Sequence, residues 1–242
     1  FVSPTWVPQM ADAAQVLAGI RRAPGVRYAA LVPNLKGYAA AREAGVDVVA
    51  VFAAASETFS ARNINASIAE SLGRFAPVAA AAAADGIALR GFVSCVTDCP
   101  YEGRVAPDAV AGVAARLVAL GCAQVSLGET LGRGSPDAVA AMLDAVVRVV
   151  PPRMLAGHFH DTGGRALANI AVGLEAGMRV FDSAIGGLGG CPFAPGAAGN
   201  VASERAAAWL ASEGWEVGLD PERLGAAAEF ARGLRVPNDV RK

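Results

Sequence analysis

Six short β-branched runs recur along this chain, each followed by an Ala/Leu-rich stretch of helical period, and this alternation restricts the architecture more than any other feature. The runs are "YAALVP" (28–33), "DVVAVF" (47–52), "ALRGFVS" (88–94), "AQVSLGE" (123–129), "MLAGHFHD" (154–161) and "RVFDSAI" (179–185). Helices are expected over 35–45, 63–85, 106–120, 135–150, 164–177 and 200–213. Another is expected near 7–22 ahead of the first run, and a last one near 220–234. "SPDAV" and "DPERL" place a capping side chain before an N1 proline, and Gly45, Gly121 and Gly177 supply C-caps. Strands alternating with helices imply βαβ units and a parallel sheet. No "GxGxxG" follows the first run and no P-loop occurs, which weakens a nucleotide-binding doubly wound fold.

A closed barrel of this type has eight strands, and six are visible. The opening "FVSPTWVPQMAD" reads as a loop leading into a helix. The expectation is therefore an α/β chain of (β/α)8 TIM-barrel type whose first two strands lie upstream of Phe1. Residues 1–242 then form a single barrel catalytic domain, incomplete at the N-terminus. An open six-stranded sheet is the alternative.

Composition narrows the function classes. Hydrophobic residues make up 54 % and charged residues 18 % of 242, so the chain is globular. The net charge is −1 and the basic residues are scattered, so no nucleic-acid partner is expected. The Ala-rich stretch 76–84 stops at Asp85 and reads as a buried helix, so no membrane partner is expected either. Cys95, Cys99, Cys122 and Cys191 form neither a zinc spacing nor a secreted framework. That suggests a reducing compartment and a cytoplasmic location, although a chain that begins at Phe1 shows nothing about its leader.

The only two histidines, His158 and His160, stand in "AGHFHDTGG". Residues two apart on a strand share a face, so both rings project together near the strand's C-terminal end, where a barrel carries its chemistry. Two imidazoles so placed suit a divalent metal. Asp161 either orients a histidine through its second nitrogen or is the N-cap of the next helix. Further on, "SAIGGLGGCPFAPGAAGN" (183–200) is a glycine loop with Cys191 at its middle, a candidate proton donor over a metal site. Asn200 at its end can offer a neutral oxygen to a hard cation or cap the following helix.

"NLKGYAAAREAG", "NINASIAES", "RGFVSCVTDCPYEG", "VSLGETLGRGSP", "HFHDTGGRALAN" and "GGLGGCPFAPGAAGN" together resemble the hydroxymethylglutaryl-CoA lyases, from Phe1 to about residue 235. The resemblance implies an often dimeric (β/α) barrel that uses Mg²⁺ or Mn²⁺ to cleave an acyl-CoA, 3-hydroxy-3-methylglutaryl-CoA, into acetyl-CoA and acetoacetate. By position it implies His158, His160 and Asn200 as metal ligands and Cys191 as the acid that protonates the acetyl-CoA carbanion. Asn63 and Ser67 match positions on the CoA side, against the plainer readings of a helix N-cap and an exposed helical serine. Arg90 matches a family arginine, with a buried ion pair as the competing reading. Thr130, Gly189 and Gly190 are placed with the substrate-binding residues. Lys36 either meets CoA phosphates or is solvated. Glu129 stands where the family more often has aspartate; the extra methylene shifts a catalytic carboxylate by about 1 Å. The family's Arg-Asp-Gly-Leu-Gln run has no counterpart in these 242 residues. A Claisen-type synthase of the same superfamily and a non-catalytic barrel remnant are the other readings.

Overall fold

The structure is a computed structural model that describes residues 1–5, 7–189 and 199–234. All six expected strands form: β1 (Ala29–Leu31), β2 (Val48–Ala54), β3 (Ala88–Ser94), β6 (Gln124–Glu129), β7 (Leu155–Phe159) and β8 (Phe181–Asp182). They pair in parallel and in chain order, β1-β2-β3-β6-β7-β8. A hairpin not expected from the sequence, β4 (Asp98–Cys99) with β5 (Gly103–Arg104), follows β3. The helices are α1 (Ala13–Gly19), α2 (Leu35–Glu43), α3 (Glu57–Ile64), α4 (Ile68–Asp85), α5 (Pro107–Ala119), α6 (Pro136–Val146), α7 (Ala166–Glu175), α8 (Ser203–Ser212) and α9 (Pro221–Gly233). None of the described helices is long and apolar enough to cross a membrane.

The expected 63–85 helix is two helices. Asn65 takes a left-handed conformation (φ 50°) that ends α3, a backbone state asparagine tolerates better than most residues. Ser67 then starts α4 with a capping box: its hydroxyl accepts from the Glu70 N–H and the Glu70 carboxylate accepts from the Ser67 N–H. Asn63 therefore lies in the last turn of α3 and caps nothing, while Ser67 is the N-cap.

The pleat divides the sheet into two faces. Val49, Val51, Leu89, Val93, Val125, Leu127, Leu155 and Phe159 are buried in the hydrophobic core on one of them, packed with residues of the covering helices such as Phe75, Leu117 and Leu143. Gly157 leaves room there, because a Cβ on it would lie 2.8 Å from the rings of both Phe159 and Phe181. Arg90, Phe92, Ser126, His158 and Asp182 occupy the other face.

That second face is curled. Asp182 is in register with His158, Gly128 and Ser94, whereas Arg90 lies four residues before Ser94. In a flat sheet the two would be roughly 14 Å apart across the strands and roughly 13 Å along them. Yet the Arg90 guanidinium meets the Asp182 carboxylate at 2.7 Å. Strand tilt and inward curvature of a barrel bring them together, so the open-sheet alternative is set aside.

Candidate active site at the strand ends

The histidine pair sits where the strands deliver it. His158 is the fourth residue of β7 and His160 follows its end, with ring centroids 5.5 Å apart. The chain after the glycine loop returns alongside. The Asp161 N–H donates to the Gly199 carbonyl and the Val201 N–H to the Phe159 carbonyl, which sets Asn200 in an antiparallel bridge with His160. Bridge partners project from the same face, so the amide lies beside the imidazole.

Asn200 does not cap α8, whose N-cap is Ala202. Its Nδ2 donates to the Leu188 carbonyl at 3.2 Å, while its buried Oδ1 has no partner among the described residues. His160 is 5 % exposed and its Nδ1 is likewise buried without a partner. Burial and then the neighbouring His158 lower its pKa to about 4, against a backbone hydrogen bond at Thr130. It is thus a neutral imidazole near pH 7, the form that ligates metals. His158 Nδ1 is engaged by Asp182 Oδ2 at 3.2 Å, which leaves Nε2. No cluster of three or more His, Cys, Asp or Glu side chains with metal-binding geometry occurs among the described residues. The donor set is two imidazoles and one amide oxygen, and two of its three atoms are buried polar groups without partners among the described residues. Such groups are costly unless something binds them, so these residues fit a divalent cation.

The other expected residues fall into distinct settings. Arg90 forms an ion pair with Asp182, as in the competing reading, though a half-buried one, and its guanidinium also stacks 4.9 Å from the Phe92 ring centre. The Thr130 hydroxyl accepts from the Cys95 N–H at 2.9 Å and donates to the Gly128 carbonyl at 3.3 Å, tying the ends of β3 and β6. Glu129 is fully buried and leaves the helix-facing side of β6, where the Thr97 hydroxyl donates to Oε1 at 3.3 Å. Burial raises its pKa, against hydrogen bonds from the backbone at Gly134 and Arg133 and from Thr97. Its Oε2 has no partner among the described residues. Asn63 is half-buried on α3, and the Ser67 hydroxyl is occupied by Glu70. Lys36 is exposed in the first turn of α2. Asp161 is not the N-cap of α7, which is Arg165, but it accepts from the Ala166 N–H at the start of that helix and pairs with Arg205. Gly189 (φ 98°) backs onto Asn200, for a Cβ there would lie 2.8 Å from Nδ2. Cys191 and Gly190 lie outside the described residues.

The sequence reading missed Asp182. Its carboxylate meets Arg90 at 2.7 Å, the Ser126 hydroxyl at 2.6 Å and His158 at 3.2 Å. The available signal was an aspartate near the end of a strand one step along the sheet from the histidine strand.

A parallel barrel with two imidazoles and an unpartnered amide oxygen at the carboxyl ends of its strands has the design of a metal-assisted barrel enzyme. The chain belongs to the HMGL-like family, whose model matches residues 4–231. It is 60 % identical over 204 residues to the 3-hydroxy-3-isohexenylglutaryl-CoA/hydroxy-methylglutaryl-CoA lyase of Pseudomonas aeruginosa, covering 84 % of this chain and 68 % of that protein. It is 52 % identical to the mitochondrial hydroxymethylglutaryl-CoA lyase of Bos taurus, over 95 % of this chain and 71 % of that one. The crystal structure of the HMG-CoA lyase from Brucella melitensis superposes with a TM-score of 0.94 at 61 % identity, covering 97 % of this chain and 83 % of that chain.

Proposed function

We propose that this chain is the catalytic barrel of a lyase that cleaves 3-hydroxy-3-methylglutaryl-CoA into acetyl-CoA and acetoacetate. The observation that carries the reading is the return of the chain at Asn200, which places an unpartnered amide oxygen beside the histidine pair. The family membership and the names of the relatives support the same substrate class, an acyl-CoA thioester.

In this reading His158, His160 and Asn200 hold a divalent cation. When bound, that ion supplies Lewis-acid polarisation of the substrate's hydroxyl and carboxylate oxygens. The protein residues do the rest. His158 is kept in orientation by Asp182, and Asn200 by its bond to Leu188. Glu129 is carried from the resemblance as the proposed acceptor of the hydroxyl proton, although its side chain leaves β6 on the helix-facing side, opposite His158. Cys191 is the proposed donor that protonates the acetyl-CoA carbon after the C–C bond breaks. Asn63, Ser67, Arg90, Thr130, Gly189 and Gly190 remain proposals for the substrate side, with Arg90, Ser67 and Thr130 acting through the hydrogen bonds described above. The choice of Mg²⁺ or Mn²⁺, homodimer assembly and a cytoplasmic location belong to the same proposal.

The test is acetoacetate release from 3-hydroxy-3-methylglutaryl-CoA with Mg²⁺ or Mn²⁺ present, alongside incubation with acetyl-CoA and 2-oxo acids. Acetoacetate formation abolished by chelation and by His160→Ala supports the lyase. Free CoA released from acetyl-CoA and a 2-oxo acid, with no acetoacetate in the first reaction, establishes a synthase instead.

A further inference from the structure

We propose that Asp182 is the positioning residue of the site: anchored by Arg90 and Ser126, its carboxylate fixes His158 as the Nδ1–H tautomer and presents Nε2 as the donor atom. The inference deepens the metal reading above and rests on it for the use made of Nε2. The tautomer itself rests on the hydrogen-bond network alone.

The geometry makes Asp182 an anchor rather than a ligand. Oδ1 accepts from Arg90 at 2.7 Å, and Oδ2 faces both the Ser126 hydroxyl at 2.6 Å and His158 Nδ1 at 3.2 Å. Both oxygens are thus committed to groups of the protein. A carboxylate can only accept from an imidazole nitrogen, so Nδ1 carries the hydrogen and the lone pair is left on Nε2. The Arg90 guanidinium on one oxygen and the Ser126 hydroxyl on the other hold the carboxylate in place against the imidazole. Phe92 completes the setting. Its ring meets the His158 ring nearly at right angles (85°, centroids 5.9 Å apart) and carries the Arg90 guanidinium near it. Four strands, β3, β6, β7 and β8, thereby each contribute to the orientation of one imidazole.

An ion pair used only for stability would also place Arg90 against Asp182, so the test must read the imidazole. The full chain is labelled with ¹⁵N-histidine, and long-range ¹H–¹⁵N spectra are recorded without metal at pH 8, above the ordinary imidazole range. Only two histidines occur, and His160→Gln assigns them. The expected wild-type pattern for His158 is Nδ1–H. Asp182→Asn can turn its amide N–H toward Nδ1, so the expected change is to Nε2–H or a mixture. Mn²⁺ affinity, read by electron paramagnetic resonance, is expected to fall about ten- to a hundredfold. Asp182→Glu is expected to recover part of that loss, and Ser126→Ala to lose severalfold. An Nε2–H pattern in the wild type overturns the proposal, as does an Asp182→Asn protein with unchanged tautomer and Mn²⁺ affinity. If Asp182→Asn does not fold, unchanged spectra and affinities in both Asp182→Glu and Ser126→Ala overturn it. A wild type that binds no Mn²⁺ overturns the metal reading instead, and the metal-free spectrum still decides the tautomer.

Discussion

Asn200 stands in antiparallel register with His160 and carries a buried oxygen that has no partner among the described residues. Asn200→Ala is therefore expected to weaken Mn²⁺ binding by at least about tenfold, as loss of one supporting or coordinating group does. The melting temperature is expected to change little, because among the described residues Nδ2 holds only the Leu188 carbonyl. Titration calorimetry with Mn²⁺ beside a thermal melt checks both halves. Unchanged affinity removes Asn200 from the ligand set.

The returning strand depends on glycine backbone. Gly199 has φ 108°, and a Cβ there would lie 2.8 Å from the Gly187 carbonyl oxygen and closer still to that of Gly189. Gly164 also has a positive φ (69°), but a Cβ on it meets nothing within 4 Å. Gly164→Ala is expected to cost about 1 kcal/mol from the left-handed backbone alone. Gly199→Ala is expected to cost at least about 2 kcal/mol more, because backbone must move. Urea unfolding of the two variants checks the difference; equal costs would mean that the close approach carries no energy.

Cys95 is a non-glycine residue at φ 61°, and its N–H is held by the Thr130 hydroxyl. Thr130→Val keeps the shape and removes the acceptor of this buried hydrogen bond. The expected loss is about 1–3 kcal/mol, while Thr130→Ser is expected to stay within about 0.5 kcal/mol. The midpoint of chemical unfolding reads this directly.

Tyr38 is buried and its hydroxyl donates to Asp85 at 2.6 Å. Burial, followed by the hydrogen bond and charge of Asp85, raises its pKa to about 12 from 10.0. A raised folded-state pKa stabilises fully below the unfolded value and is lost as pH rises through the folded one. Wild-type stability is thus expected to decline between pH 10 and about 12 more steeply than that of Tyr38→Phe. At pH 7 that variant is expected to be about 1 kcal/mol less stable, having lost one hydrogen bond. Parallel slopes for the two proteins above pH 10 would contradict the assignment.

Much of this was legible in the sequence because it is local. Strand and helix periodicity placed every strand of the main sheet, and the spacing of His158 and His160 put both rings at one strand end. Ser67 and Glu70 also carried a local signal, the S-x-x-E box, which the longer apolar period running from residue 63 obscured. Asp182 was of another kind. Nothing near it in "RVFDSAI" distinguishes a strand-end carboxylate from a solvated one. Its part depends on Arg90, which is 92 residues earlier and four residues out of register, and only the tilt of a curled sheet makes them neighbours. Arg90 was left between two readings for the same reason.

The Arg90–Asp182 pair also sets a timetable for folding. Its partners are separated by 92 residues, and Asp182 reaches His158 across 24. Closing such loops costs entropy before any contact repays it, so local βα units form ahead of them. Orientation of His158 is therefore completed only when β8 docks, and the rate at which a refolding chain acquires Mn²⁺ affinity becomes a clock for that last docking step.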